Sequence, residues 1–406
     1  MTAQAPVDLV ARYLRPGTLQ LGQAPPLSLY VHLPWCLAKC PYCDFNSHAV
    51  PDAAAGGLPE ARYIDALIAD LEAALPQVWG RPVHSIFIGG GTPSLFSADG
   101  IAGLLAAIRA RLQLLAGCEI TLEANPGSFE RDRFKAFRQA GVNRLSVGVQ
   151  SFDDGMLQRL GRVHDSAQAR AALTEAAATF DTFNLDLMYA LPGQTLAQLH
   201  TDLDIALDFN PPHLSIYHLT IEPNTRFAVR PPENLPDDDL ASDMLDAISA
   251  RTQVQGLQRY EVSAFAQPGH RCQHNLNYWQ FGDYLGLGAG AHGKLSYPHR
   301  VVRQVRWREP NTYIERSLAG QAMSNDDEVP RAQLPFEFML NALRLREGFA
   351  LADFSARTGL SITAIAQPLA EAEARGLLAR DFNRAWPTDR GFDFLSDLQA
   401  LFLPAD

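Results

Sequence analysis

Six short apolar runs, each followed by an amphipathic stretch, occupy the first two-thirds of this 406-residue chain and leave few folds open to it. The runs at 27–33, 84–88, 119–122, 144–149, 183–188 and 213–219 read as strands. The stretches at 61–75, 99–115, 130–139, 154–177, 195–207 and 237–251 read as helices, with Leu67, Leu71 and Leu75 marking an inward face. A strand–helix repeat of roughly thirty residues predicts a parallel sheet with right-handed crossovers. Eight such units would close a barrel with its active site on the loops after the strands. Six predict an incomplete (β/α)6 barrel, an α/β fold whose missing wall admits a large substrate. A flat doubly wound sheet satisfies the same pattern.

Beyond these units the texture changes. A Pro- and Asp-rich patch at 231–239 reads as a surface loop, and the Gly-rich segment 282–293 as irregular. Helices expected at 335–346, 351–358 and 361–375, a Leu377–Leu378 run, a turn at Asn383 and a last stretch at 391–403 together read as a winged helix. The expected organisation is an N-terminal extension (1–25), a barrel core (26–260), a connecting segment (261–329) and a winged-helix-like domain (330–406). From Arg331 onward eight arginines face ten acidic residues, and the whole chain carries a net charge of −11. Both oppose a nucleic-acid partner held through its phosphates. No apolar run is long enough to span a membrane, and residues 1–17 lack a secretory apolar core, so a reducing cytoplasm is the expected location. Five cysteines, an odd number, argue against a disulfide framework and for metal or redox chemistry.

Three of the five stand in Cys36-Leu-Ala-Lys-Cys40-Pro-Tyr-Cys43, directly after the first strand. Soft thiolates select zinc or iron–sulfur clusters. Zinc would want a fourth ligand, for which His48 is available. Three thiolates on a cubane leave one iron open to a small ligand. The run Gly89-Gly90-Gly91-Thr92-Pro93 follows the second strand, where glycine lets backbone approach a ligand or simply makes a tight turn. Glu123 and Gln150 end the third and fourth strands. The segment from His274 to Trp279 places an imidazole beside aromatic side chains, as a haem site requires, although a loop histidine commonly just hydrogen-bonds its neighbours. Gly288, Gly290 and Gly293 have dinucleotide-site spacing, but no strand and helix are expected to flank them, so a backbone turn is the assigned role, with His292 left open. Cys118 reads as core packing and Cys272 as an inert thiol.

The cluster motif, with the aromatic Tyr42 before its last cysteine, resembles that of the radical S-adenosylmethionine superfamily. Within it, the chain resembles the group that holds the oxygen-independent coproporphyrinogen III dehydrogenases and the HemW family of haem chaperones. The resemblance runs from Tyr30 to the C-terminal module. It implies a 4Fe–4S cluster on Cys36, Cys40 and Cys43, with S-adenosylmethionine on the open iron. It also implies cofactor contacts from Tyr30, Tyr42, Gly90, Gly91, Thr92, Glu123, Gln150, Arg162 and Asp186. The His-Asn-x-x-Tyr-Trp motif of the haem chaperones implies haem ligation by His274.

The sequence departs from the dehydrogenases at one telling position. They carry a fourth cysteine two residues after the third, where this chain has Phe45, and the segment before Tyr30 is short. Both departures favour haem binding and delivery to acceptor proteins, respiratory haem proteins among them, over oxidative decarboxylation of coproporphyrinogen. A haem- or redox-sensing regulator using the winged helix on DNA is the weaker third reading. Homodimerisation and transient membrane association are left open by the sequence.

Overall fold

The computed structural model describes residues 19–51, 57–128 and 132–404. Most of the expected N-terminal extension, and Glu130 at the start of an expected helix, lie outside them.

Strands β1 (Leu27–Leu33), β2 (Val83–Gly90), β3 (Leu114–Ala124), β4 (Arg144–Gln150), β5 (Phe183–Tyr189) and β6 (His213–His218) lie side by side in chain order, every neighbour parallel. The helices α1 (Glu60–Val78), α2 (Ala98–Arg111), α3 (Arg133–Ala140), α4 (Ser166–Thr179), α5 (Leu196–Asp208) and α6 (Asp238–Val254) connect or follow them. A doubly wound sheet reverses its strand order at a switch point, and this one does not. It is the six-unit partial barrel.

Side-chain alternation explains what such a barrel is for. Leu29, Val31, Ile86, Ile88, Leu122, Val147, Leu185 and Leu214 are buried in one core with the helices. The alternate residues on the same strands are Ser28, Tyr30, His32, Ser85, Thr121, Glu123, Ser146, Asn184, Asp186 and Ser215. Parallel strands covered on both faces are usually apolar on both. A polar second face, hydrogen-bonded within itself from Ser28 to Ser85 (2.8 Å) and from Asn184 to Ser146 (2.8 Å), lines a binding space. Helix starts are well specified: Asp165 and Thr195 each form a reciprocal capping box, and Asp237 caps α6. Such caps contribute about 1 kcal/mol apiece.

Three sequence expectations need correction. The helix expected over 154–177 is two, Asp154–Arg159 and α4, separated by a loop in which Gly161 takes φ +66°. The helix expected to reach 115 stops at Arg111, and Leu114 and Leu115 open β3. The Gly-rich segment is not irregular. It contains β9 (Asp283–Leu287), which pairs parallel with β1 on the edge away from β2. The chain has by then added β7 (Gln258–Arg259) and β8 (Ala264–Ala266) beyond β6, and α7 (Gln273–Trp279). Antiparallel β10 (His292–Tyr297), β11 (Arg300–Arg306) and β12 (Met323–Glu328) then extend the sheet to twelve strands. Gly288 to Ala291 therefore form a turn, preceded by a strand after all but followed by a second strand instead of a dinucleotide-binding helix.

Helix α8 (Pro310–Leu318) packs on α1. The C-terminal module has helices α9 (Leu334–Ala342), α10 (Leu351–Thr358) and α11 (Ala366–Ala374). A small antiparallel sheet in the order Phe349–Ala350, Arg384–Pro387, Leu378–Arg380 supplies the wing. Phe338, Phe354, Ile365, Leu369 and Leu398 form its core, which continues into Phe281, in the turn before β9, and Val301 of β11. Among the described residues no helix is long and apolar enough to cross a membrane.

Candidate cluster and cofactor site

Cys36, Cys40 and Cys43 sit on one loop after β1, all free and all partly exposed. Short parallel pairing of Trp35–Cys36 with His48–Ala49 closes the loop's base. Its other support is the glycine run: Gly91 N–H donates to Leu33 O (2.8 Å) and Thr92 N–H to Trp35 O (2.7 Å). A Cβ on Gly91 would lie 2.5 Å from Trp35 O, and one on Gly90, at φ +112°, 2.5 Å from the His32 ring. The glycines are thus required by the seat of the cysteine loop, whatever else approaches them.

Burial pushes the Cys36 and Cys43 thiols up, while hydroxyls of Thr92 and Ser47 respectively pull them back. Arg162 Nη1 lies 3.7 Å from Cys40 Sγ and Nη2 donates to Gly148 O (2.6 Å), tying the loop to the end of β4. Three thiols on a single loop beside a guanidinium are a donor set suited to an iron–sulfur cluster. A single zinc ion would draw its ligands to within about 4 Å of one another. Among the described residues no three Cys, His, Asp or Glu side chains converge as ligands of one ion would. His48 turns to Asn46 Oδ1 (3.3 Å). A cubane spreads its thiolates over separate irons and so holds them farther apart than a single ion does.

The expected cofactor residues share the barrel's polar face and C-terminal rim. Glu123 Oε2 accepts from Gly90 N–H (3.0 Å). Asp186 accepts from Asn184 (2.7 Å) and Ser146 (3.2 Å). Gln150 holds φ +73°, a left-handed conformation uncommon outside glycine and typical of residues under positional demand. Tyr30 meets His32 Nδ1 (2.9 Å), and Tyr42 packs on Phe227. Thr92 lies buried beneath Cys36.

Burial, then the nearby Asp186, pushes the Glu123 carboxyl up to about 8. A carboxyl that holds its proton more tightly when folded favours the fold below its unfolded pKa and loses that advantage as pH rises through the folded one. Wild-type stability is therefore expected to fall between pH 4.5 and about 8 on this account. Glu123→Gln should flatten that slope and be the more stable protein at the alkaline end. Urea midpoints on both sides of the window measure it, and parallel slopes would refute the assignment.

The segment expected to ligate haem forms α7, its N-terminus held by Glu119, which accepts from His274 N–H (3.1 Å). His274 is 1% exposed. Its Nδ1 pairs with Ser85 Oγ (3.0 Å) and its Nε2 with Tyr278 Oη (3.1 Å), and Phe87 stacks on the ring. Burial and Arg144 hold this imidazole neutral, its pKa down to about 3. Iron ligation through Nε2 asks the Tyr278 bond to be released, whereas the Ser85 bond at Nδ1 is of the kind a metal-bound imidazole keeps. Cys272 is buried against Glu119, its thiol pushed up to about 12, and Cys118 is buried in the core.

In front of His274 opens a crevice of about 320 Å³ lined by Tyr30, His32, Asp44–Asn46, Tyr278, Tyr284, Gly290, His292 and Arg308. Asn46 Nδ2 donates to Ala289 O (2.9 Å) and Arg308 O (2.7 Å), so the tail of the cysteine loop forms one wall of it. Sequence reading gives no signal for Tyr284, because the Gly-rich segment reads as irregular, or for Arg308, which carries no motif. His292 it noticed without a role.

A radical SAM superfamily model matches residues 30–206 and a HemN C-terminal domain model residues 329–394. The chain is 48% identical to the haem chaperone HemW of Escherichia coli over 93% of its own length and 98% of that protein's. It is 46% identical to the Haemophilus influenzae haem chaperone HemW, covering 94% and 99%. A mitochondrial radical S-adenosyl methionine domain-containing protein 1 of Mus musculus is 34% identical over 96% and 92%. Among solved structures, coproporphyrinogen III oxidase (HemN) from Escherichia coli superposes with TM-score 0.78 over 98% of this chain and 99% of that one. At 23% identity, that likeness speaks to the fold. At 46–48% identity over nearly the full length of two haem chaperones, and with the radical SAM model matching residues 30–206, the chain belongs to the HemW family of haem chaperones within the radical S-adenosylmethionine superfamily.

Proposed function

We propose that this protein binds haem and hands it to acceptor proteins, respiratory haem proteins among them. In this reading Cys36, Cys40 and Cys43 hold a 4Fe–4S cluster, and S-adenosylmethionine occupies the open iron. The observation that carries the reading is the end-to-end match: 93–94% of this chain against 98–99% of two haem chaperones. When bound, the cluster with its ligand supplies one-electron chemistry.

The chain's own residues do the rest. Arg162 offsets thiolate charge at Cys40 and fixes the loop against β4. Glu123, Gln150 and Asp186 offer hydrogen bonds at the strand ends, and Glu123, protonated near neutral pH, can donate as well as accept. Phe45, 61% exposed, stands where the dehydrogenases have a further cysteine and gives the crevice an apolar rim. His274 backs the crevice through Tyr278.

Anaerobically reconstituted protein is expected to bind haemin stoichiometrically, read from the Soret band. His274→Ala, which strips Tyr278 of its partner, should weaken binding by about three- to tenfold. Incubation with coproporphyrinogen should leave it unchanged. Its conversion to protoporphyrinogen, or an absence of haemin binding, would overturn the proposal.

A further inference from the structure

Three imidazoles lie on or close behind the walls of the crevice, and among the described residues one of them makes no side-chain hydrogen bond. His32 has both ring nitrogens engaged, with Tyr30 Oη (2.9 Å) and Asn46 O (3.0 Å). His274, behind Tyr278, is likewise engaged at both. His292, the first residue of β10, is exposed, lines the crevice and makes no side-chain hydrogen bond among the described residues. Arg308, which also lines the crevice, is exposed, and its guanidinium has no ion-pair partner among the described residues. The walls are aromatic. Tyr278 and Tyr284 meet edge to face at 4.4 Å, Tyr30 lies on the barrel side, and Phe45 stands on the rim. Arg303 donates to Tyr284 Oη (2.9 Å) and fixes that ring.

An open imidazole, an uncommitted guanidinium and aromatic walls are the three things an iron porphyrin with carboxylate arms asks for. From this we infer that His292 is the axial ligand to haem iron and that Arg308 pairs with a propionate. The inference rests on the haem-binding reading above. At about 320 Å³ and open to solvent, the crevice is at the small end of ligand sites, so it grips part of the macrocycle and leaves the rest outside. That suits a cargo which must be passed on. Asp44, the one acid among the crevice's described lining residues, repels carboxylates and so favours entry with the propionates toward Arg308. The turn carrying His292 is held from behind. Tyr63 Oη accepts from Ala289 N–H (2.8 Å) and Tyr313 Oη from Gly288 N–H (3.1 Å), so the ligand stands on a rigid support.

The test titrates haemin and, separately, metal-free protoporphyrin into the full-length, cluster-loaded protein. His292→Ala is expected to displace the Soret band and weaken haemin binding by about tenfold or more, with metal-free protoporphyrin bound as in wild type. His292→Met, which offers a thioether to iron, should restore much of the haemin affinity with a Soret band unlike that of wild type. Arg308→Gln should weaken both ligands, because propionates are common to them. Wild type that binds haemin while His292→Ala gives a superimposable Soret band and affinity would overturn the ligand assignment and leave the haem-binding function standing. Wild type that binds no haemin would sink the functional reading and this inference together. His292 is exposed, and circular dichroism of its variants checks that the fold is unchanged.

Discussion

Gly91→Ala should lower stability by about 3 kcal/mol and strip the protein of most of its capacity to take up iron. The added methyl would sit 2.5 Å from Trp35 O and 2.8 Å from the Pro34 carbonyl carbon, both backbone atoms that cannot rotate away. Relief requires the strand end to part from the cysteine loop. That motion would sacrifice the Gly91–Leu33 and Thr92–Trp35 hydrogen bonds and, with them, the Thr92 hydroxyl that steadies the Cys36 thiol. Denaturation midpoints and iron content after anaerobic reconstitution read the two effects. Gly103→Ala is the matched control: it lies within α2, nothing stands within 4 Å of its added methyl, and the change should stabilise by up to about 1 kcal/mol. A Gly91→Ala protein with full iron and wild-type stability would mean that the loop is not seated on β2 as described.

Arg306→Met is expected to be at least as damaging to the fold, at about 3–5 kcal/mol. Arg306, on β11, and Asp70, on α1, are 1% and 2% exposed and joined at 3.1 Å. Tyr313 Oη also donates to Asp70 (2.9 Å). Removing the guanidinium strands a carboxylate in the core, and burial already works to push that carboxyl up. Replacing both partners with apolar residues, as in Asp70→Leu with Arg306→Met, should recover most of the loss, since the damage comes from the orphaned charge. Chemical denaturation of Arg306→Met, of Asp70→Leu alone and of the double variant closes this cycle. Haemin affinity should follow stability in the single variant, because Tyr313 also holds the turn before His292. A double variant no more stable than the single one would show that the cost lies in packing instead of charge.

Much of the barrel could be read from local pattern. The first strand and the second helix of the C-terminal module lie where periodicity puts them, Leu27–Leu33 and Leu351–Thr358. Thr195 and Asp237, read as the first residues of helices, are their caps, a boundary difference of one residue. The long helix expected over 154–177 failed because its apolar spacing continues through a loop that exists to carry Arg162 to Cys40, more than a hundred residues away. One available signal was missed. Apolar Leu27, Leu29, Val31 and Leu33 alternate with Ser28, Tyr30 and His32, which announces a polar barrel interior.

By itself, then, the sequence determined the cysteine loop, the six strand–helix units and the winged module, because each depends on spacing within a few turns of chain. Tertiary structure decided what those parts face. β9 pairs with β1 across some two hundred and fifty residues, and His274 meets Ser85 across 189. Those pairings convert a Gly-rich stretch into sheet, lock the imidazole the motif singles out, and leave His292 open to the crevice. No local periodicity encodes such choices, since they rest on which distant surfaces bury one another.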